Sequence, residues 1–200
     1  ITDYDGTLIK AIDSGSVTLS NSIISGQNSA SSAVNCTNCS ILHISSSDFQ
    51  NTNKVATPNG GAVFVSGSPD ASVVIENSSF SYYFATESGG ALAIFNSSLT
   101  ITNSAFTNNT ATQGGAIIHS STQGSNSQVN ITGTTFHHNF ALLLGGALSI
   151  TNSGFLIDQT HFENNTAAES GQYNLSSLSK GGALHFTCIN CYQSLVSNTL

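Results

Sequence analysis

A unit of about 30 residues recurs along the chain, and this repetition constrains the fold more than any other feature. Its clearest copy spans residues 99–119 and reads LTITNSAFTNNTATQGGAIIH. Phenylalanines recur at intervals of 31, 26, 30 and 26 residues, at Phe49, Phe80, Phe106, Phe136 and Phe162. Gly-Gly pairs recur in step and begin at Gly60, Gly89, Gly114, Gly145 and Gly181. Self-similarity of this kind is typical of a solenoid.

Apolar and polar residues alternate in the run that leads to each phenylalanine. Five positions before the phenylalanine, every clear copy carries isoleucine: Ile44, Ile75, Ile101, Ile131 and Ile157. An apolar residue at every second position indicates a half-buried strand and is incompatible with a helical stripe. The run after each Gly-Gly alternates in the same way, with His119 as an exception.

The recurrence of one residue type at one position distinguishes between the all-β folds. A sandwich gives no reason for such a column, whereas the coils of a parallel β-helix stack at roughly 4.8 Å and place like residues on like. The sequence therefore predicts an all-β, right-handed parallel β-helix, the pectin-lyase-like solenoid, of about six to seven coils. The isoleucine and phenylalanine columns form its core stack. A third short strand is expected after the Ala-Leu-x-Ile run, and residues 1–200 are expected to be one segment that begins and ends inside a repeat.

Charge and composition argue against nucleic-acid binding and against a membrane span. The chain has three basic residues and a formal net charge of −7, so it lacks the cations that nucleic-acid binding requires. No run of 18 apolar residues occurs, so no membrane span is expected within residues 1–200. No motif indicates a cofactor.

The paired motifs resemble a known repeat. Gly-Gly-Ala-Ile at 114–117 and Gly-Gly-Ala-Leu at 89, 145 and 181 accompany Phe106-Thr-Asn-Asn109, Phe136-His-His-Asn139 and Phe162-Glu-Asn-Asn165. Together they resemble the GGA[ILV] and FxxN repeats of the chlamydial polymorphic outer membrane proteins, and similar repeats occur in predicted surface proteins of protists. In that family the repeats build a surface-exposed β-helical passenger that acts as an adhesin. The resemblance implies the same architecture and a cell-surface location. Thr52 and Tyr83 depart from it, because each stands where the motif has asparagine.

Four cysteines form two Cys-x-Asn-Cys pairs, Cys36 with Cys39 and Cys188 with Cys191. The pairs lie about five coils apart, roughly 24 Å by strand spacing, which is too far for one zinc ion. Each pair is predicted to form a local disulfide, as in a secreted protein. Free thiols are the main alternative, and a metal-binding or redox-active role is a lesser one.

Eight Asn-x-Ser/Thr sequons occur in the chain. The preferred candidates for glycosylation are Asn174, Asn96, Asn77 and Asn130, with Asn174 first because it lies in the longest insertion. A second surface cluster consists of His137, His138, His161 and Glu163. A metal site there is conceivable, but we interpret these side chains as exposed turn residues, and no metal site is predicted.

The predicted function is structural and adhesive: a β-helical stalk segment of a secreted or cell-surface protein, or a filament subunit. Its partners would be further coils of a longer chain, neighbouring subunits, or surface glycans and proteins, contacted through loops 67–71, 123–127 and 167–180. The alternative is a carbohydrate-active enzyme or carbohydrate-binding module. Catalysis is disfavoured because the ten acidic residues are scattered and arginine is absent; Glu76 and Asp158 share an outward column but are separated by intervening coils.

Overall fold

A computed structural model describes residues 1–68, 70–168, 182–187 and 194–197, the last range by its backbone alone. All regular structure in these residues is β, and the chain winds into a parallel β-solenoid of about six turns, as predicted. In chain order the strands are β1 (Ile9–Ile12), β2 (Ser16–Ser20), β3 (Ile23–Ser25), β4 (Val34–Thr37), β5 (Ile41–Ser45), β6 (Asp48–Gln50), β7 (Ala56–Asn59), β8 (Val63–Ser66), β9 (Ser72–Glu76), β10 (Ser79–Ser81), β11 (Phe84–Ser88), β12 (Leu92–Phe95), β13 (Ser98–Thr102), β14 (Ala105–Thr107), β15 (Thr110–Gln113), β16 (Ile117–Ser120), β17 (Gln128–Thr132), β18 (Thr135–His137), β19 (Phe140–Leu144), β20 (Leu148–Thr151), β21 (Gly154–Asp158), β22 (His161–Glu163), β23 (Thr166–Ala167), β24 (Leu184–Thr187) and β25 (Ser194–Ser197).

The strands form four parallel sheets, each built from one position of the repeat. Sheet A holds the strands that follow Gly-Gly-Ala together with the equivalent strands of the first two coils, which lack that motif, in the order β1-β4-β8-β12-β16-β20-β24. Sheet B holds the isoleucine strands, β2-β5-β9-β13-β17-β21-β25. Sheet C holds the phenylalanine strands, β3-β6-β10-β14-β18-β22, and sheet D holds β7-β11-β15-β19-β23. Every coil therefore pairs with the coils before and after it along the whole described stack.

Like residues lie one above another in the interior. Ile75, Ile101 and Ile131 are register partners on consecutive strands of sheet B, and all three are completely buried. The column continues to Ile44 and Ile157 at its two ends. The rings of Phe49, Phe80, Phe106, Phe136 and Phe162 stack face to face with centroid separations of 4.8 to 5.1 Å. Phe162 is half-buried, and the other four are completely buried.

The run from residue 99 to residue 106 was expected to be one strand, and that expectation is wrong. It consists of β13 and β14, which belong to different sheets. The break lies at Asn103, whose φ of 48° is in the left-handed region. Asparagine tolerates that conformation better than most residues. The corner shifts the alternation by one residue, because Ile101 and Ser104 are buried whereas Thr102 and Asn103 between them are not.

The extra strand of each coil also lies elsewhere than predicted. Sheet D comes from the segment between the FxxN motif and Gly-Gly, such as β15, whereas the segments after the Ala-Leu-x-Ile run are loops. The sequence signal for β15 is weak because this short strand buries one apolar side chain, Ala111. Alternation cannot be recognised from a single apolar position.

Candidate functional site

A column of hydroxyl side chains lies two positions before each core phenylalanine, and its members are buried: Ser47, Ser78, Ser104, Thr134 and Thr160. Each hydroxyl donates to the carbonyl oxygen two residues earlier, as Ser78 does to Glu76 at 2.8 Å. Four of them also accept from the backbone N–H one coil back, as Ser78 Oγ does from Ser47 at 3.1 Å. Because these hydroxyls bond within the fold, the column is a structural ladder and not a row of nucleophiles.

A groove follows this hydroxyl ladder along the outside of the corner between sheets B and C. Its volume is about 850 Å³. It crosses five coils, and the corner residues with positive φ line it: Asn21, Ser46, Asn77, Asn103 and Gly133. Among its described lining residues Asp48 is the charged side chain. Amides and hydroxyls of this kind suit hydrogen bonding to an extended polar molecule, but one carboxylate cannot supply an acid–base pair.

The asparagines of the FxxN motif form a second ladder inside the corner between sheets C and D. Asn139 Oδ1 accepts from the backbone N–H and the Nδ2 of Asn109, at 3.0 and 3.1 Å. Asn139 Nδ2 donates to the Phe106 carbonyl at 2.9 Å and to Asn165 Oδ1 at 2.9 Å. Each amide therefore satisfies backbone groups of neighbouring coils that no water can reach. This bonding explains why asparagine occupies the last position of the FxxN motif.

We expect Asn139→Leu to lower the free energy of unfolding by about 3 kcal/mol, because it leaves the buried Asn109 N–H without its acceptor and removes the amide bonds to the Phe106 carbonyl and to Asn165. Urea unfolding followed by circular dichroism measures the change. Asn130→Leu is the matched control, since Asn130 is exposed on β17, and we expect its effect to stay within about 0.5 kcal/mol. Equal losses in the two variants would contradict the ladder.

The two sites where the motif departs from asparagine differ from each other. At the first site, Thr52, the neighbouring Asn51 is completely buried, and its Nδ2 donates to the Val55 carbonyl at 2.8 Å. This bond holds a small loop. At the second site, Tyr83 takes the ladder position, and its ring is buried. The backbone N–H of Tyr83 still donates to Asn109 Oδ1 at 3.1 Å. Burial raises the pKa of Tyr83 far above its ordinary value, so its phenol stays protonated.

The first cysteine pair lies at the corner between sheets A and B. Cys36 and Cys39 form a disulfide with Cα atoms 5.9 Å apart, and both residues are buried. The corner residue Asn38 has a φ of 52°. The second pair, Cys188 and Cys191, lies outside the described residues, so its local disulfide stays a prediction.

The predicted glycosylation sites differ in their surroundings. Asn77 and Asn130 are exposed, the first at the groove and the second on β17. Asn96 is half-buried, and its Oδ1 accepts from the Thr122 N–H at 2.8 Å. That bond engages Oδ1 of Asn96 and not Nδ2, the atom that glycosylation modifies. Asn174 lies outside the described residues. Modification stays a prediction at all four positions.

The histidine cluster of the sequence analysis is brought together by the pairing of β18 with β22. The Glu163 carboxylate Oε2 lies 3.5 Å from His137 Nε2 and 3.6 Å from His161 Nε2. His138 Nδ1 lies 3.1 Å from His137 Nδ1. Within the ranges that the structure describes, no group of three or more His, Cys, Asp or Glu side chains is arranged to hold a metal ion. Because these side chains are largely exposed, their mutual contacts contribute little to stability.

Glu76 and Asp158, the two acidic residues of one outward column on sheet B, do not lie close to each other. Glu76 ends β9 and Asp158 ends β21, and two further strands of sheet B lie between them. The spacing of parallel strands puts them roughly 14 Å apart, beyond the carboxyl separations used by glycosidases. Glu76 Oε2 instead lies 3.2 Å from His43 Nε2 on the neighbouring strand.

The exception in the sheet A column, His119, is a fully buried histidine between Ile94 and Ile150. Its Nε2 lies 2.6 Å from the Ser97 carbonyl oxygen, and its Nδ1 lies 3.2 Å from Ser153 Oγ. A neutral ring with the proton on Nε2 donates to the carbonyl and accepts from the hydroxyl. Burial lowers the pKa of His119 to about 4, although the hydrogen bond to Ser97 opposes that shift.

The lowered pKa of His119 predicts a loss of stability in mild acid. The unfolded chain protonates this residue below the ordinary value of 6.5, whereas the folded chain does so only near 4. Because the unfolded state binds more protons in that window, the free energy of unfolding falls as the pH falls, by up to roughly 3 kcal/mol from this residue. Urea unfolding of the natural chain and of His119→Ile at several pH values isolates the effect. A constant difference between the two chains would contradict it.

Among the described residues no helix is long and apolar enough to cross a membrane. No curated protein and no solved structure matches the chain. Residues 103–118 match the repeat of the Chlamydia polymorphic membrane protein family. This segment contains β14, β15, the FxxN asparagine Asn109 and the Gly-Gly corner at Gly114, so the resemblance seen in the sequence is confirmed there. The repeat and the parallel β-solenoid together fit a structural segment of a surface protein.

Proposed function

We propose that this chain is a structural and adhesive segment of a secreted or cell-surface protein: a rigid β-helical stalk that spaces and displays contact surfaces. The observation that carries the proposal is the unbroken pairing of seven strands in register, from β2 to β25 in sheet B. Such a stack resists bending because each coil forms hydrogen bonds to the next along its whole outline.

The interior and the corners support a structural role. Isoleucine and phenylalanine columns fill the interior, while the hydroxyl and asparagine ladders satisfy the backbone at two corners. The Cys36–Cys39 disulfide suits an oxidising compartment, and with the matched repeat it favours a location outside the cell or on its surface.

The loops at the corner between sheets A and B support a display role. Ser68, Asp70, Thr122, Gln123 and Asn126 are exposed there, although the loops end on the buried residues Ala71 and Ser127. Loop 167–180 lies almost entirely outside the described residues. The partners we propose are surface glycans or proteins, together with further coils of a longer chain or neighbouring subunits.

The test is a binding assay with the folded 200-residue chain on beads, measured as bead retention by cultured cells. Beads that carry Ile101→Asp, in which we expect the central coils to unfold, are the control. Retention that depends on the folded chain supports the adhesive role, and equal retention overturns it. Incubation with soluble polysaccharides is the second arm, because newly released reducing ends would favour the carbohydrate-active enzyme instead. Electron microscopy of native material separates a filament subunit from a single stalk.

A further inference from the structure

A small pocket opens on the side of the solenoid at the corner between sheets C and D. Its volume is about 400 Å³, and it is lined by Lys54, Tyr82, Tyr83, Phe84, Asn108 and Thr110. Pockets of this size hold one or two sugar rings or another compact ligand. The pocket coincides with the coils that depart from the FxxN motif, where the regular ladder is replaced by a loop and by an aromatic run.

Two aromatic side chains of this pocket face the solvent. Tyr82 is 44% exposed and Phe84 is 40% exposed. The equivalent positions in the next coil are Asn108 and Thr110, so the repeat does not require an aromatic residue at either place. Exposed aromatic side chains that lie together mark a binding surface more often than isolated ones do.

Tyr82 also has an unusual backbone conformation. Its φ is 62°, at the corner where Asn108, His138 and Asn164 have 55°, 53° and 54°. A bulky residue is rarely found in this region, and such a residue persists when its neighbours hold it in place. Here the Tyr82 N–H donates to the Thr107 carbonyl at 3.1 Å, and the Tyr83 carbonyl accepts from Thr110 at 2.8 Å. These bonds hold the backbone of the strained corner, from which the Tyr82 side chain lines the pocket.

Lys54 brings a positive charge to the same pocket. It lies in the small loop held by Asn51, where its own φ is 54° and its N–H donates to the Asn51 carbonyl at 3.4 Å. In the part of the chain that the structure describes, no ion pair or hydrogen bond engages the Lys54 ammonium, the Asn108 amide or the Thr110 hydroxyl. These groups are free to contact a ligand.

The position of the pocket in the fold limits the kind of ligand. Strand β11 pairs with β7 on one side and with β15 on the other, so no free strand edge is available for an added peptide strand. Recognition depends on side chains alone. Aromatic rings pack against the C–H face of a sugar ring, the amide and hydroxyl bond its hydroxyls, and one lysine matches one carboxylate.

We propose that Lys54, Tyr82, Phe84, Asn108 and Thr110 form a binding site for a carboxylate-bearing sugar unit of a surface glycan. The inference rests on the proposed adhesive function and names the class of its partner. The sugar ring stacks on Tyr82 and Phe84, and its carboxylate pairs with Lys54. Since the chain is acidic overall, we expect a site for single acidic sugars and not for a polyanion.

The test is titration of the chain with methyl glucuronide and methyl sialoside, with the uncharged methyl glucoside as the comparison, followed by saturation-transfer NMR. We expect a millimolar dissociation constant for at least one acidic sugar and binding of the glucoside that is roughly two- to fivefold weaker, the size expected of one exposed ion pair. Saturation by neither acidic sugar, or equal binding of the glucoside, overturns the proposal.

The variants copy residues that the repeat already uses at the same positions. Tyr82→Asn and Phe84→Thr reproduce Asn108 and Thr110, so they preserve the fold, and we expect each to abolish binding of all three sugars. Lys54→Gln should remove the preference for the acidic sugars. His138→Asn, at the same corner one coil beyond Asn108, is the matched control and should leave binding unchanged. Binding that survives Tyr82→Asn overturns the site.

The sugar titration and the bead assay separate the two proposals. If the acidic sugar binds but the folded chain retains no cells, the site stands and the adhesive function fails. If Tyr82→Asn loses the sugar yet retains cells as the natural chain does, the adhesive surface lies elsewhere. That outcome overturns the pocket as the contact site while it leaves the adhesive function standing.

Discussion

Ile101→Asp should unfold the central coils, with a loss of about 5 kcal/mol or more in the free energy of unfolding. Ile101 is completely buried between Ile75 and Ile131, so the new carboxylate has neither water nor a cation beside it. For a chain of 200 residues this corresponds to a fall in Tm of roughly 10 to 20 °C. Thermal unfolding followed by circular dichroism measures it.

Thr100→Asp is the control for this variant, because it introduces the same side chain one position away. Thr100 lies on the outward face of β13, beside Val74 and Asn130. We expect a change within about 0.5 kcal/mol. Equal losses in the two variants would mean that the faces of the strand are assigned wrongly.

Gly115→Ala should cost about 3 kcal/mol or more, although it adds only one methyl group. A Cβ atom at Gly115 would lie 1.9 Å from the Gly146 carbonyl oxygen and 2.6 Å from the Phe140 carbonyl oxygen. Both are backbone atoms of the next coil, which is held in register by its own hydrogen bonds. The stack must therefore open for the methyl group to fit.

Gly15→Ala tests whether this cost comes from the close approach of the coils. No atom lies within 4 Å of a Cβ built at Gly15, which is exposed between β1 and β2. We expect its Tm to stay unchanged or to rise slightly, because alanine restricts the unfolded chain more than glycine does. A matching fall in Tm for both variants would exclude the proposed clash.

The repeat predicts the core well because, in a parallel solenoid, residues that lie one repeat apart in the sequence stack on each other in neighbouring coils. Ile75 and Ile101, or Phe80 and Phe106, recur in the sequence at the length of one coil, so they must face the same interior. The prediction was wrong at two places. At Asn103 the alternation shifts by one residue between Ile101 and Phe106, and this shift marks the corner that divides the run between two sheets. β15 has a single buried apolar residue, so it leaves no pattern to recognise.

The candidate pocket was harder to predict from the sequence than the core was. Tyr83 is visible in the sequence as a departure from the FxxN motif, and this is the signal that could have drawn attention to its neighbours. The presence of Lys54 and Tyr82 in one pocket is not visible in the sequence, because it depends on the loop that the buried amide of Asn51 holds. Local periodicity does not predict which side chains of successive coils line the same pocket.

The sequence by itself therefore determined the coil, the inward face of each strand and the identity of the stacked residues, since these follow from residue type and spacing. The tertiary structure alone decided where the chain turns, which polar groups form the two ladders, and which side chains meet at the pocket. These features depend on backbone angles at single corner residues and on contacts between coils, and many sequences with the same alternation could satisfy them differently.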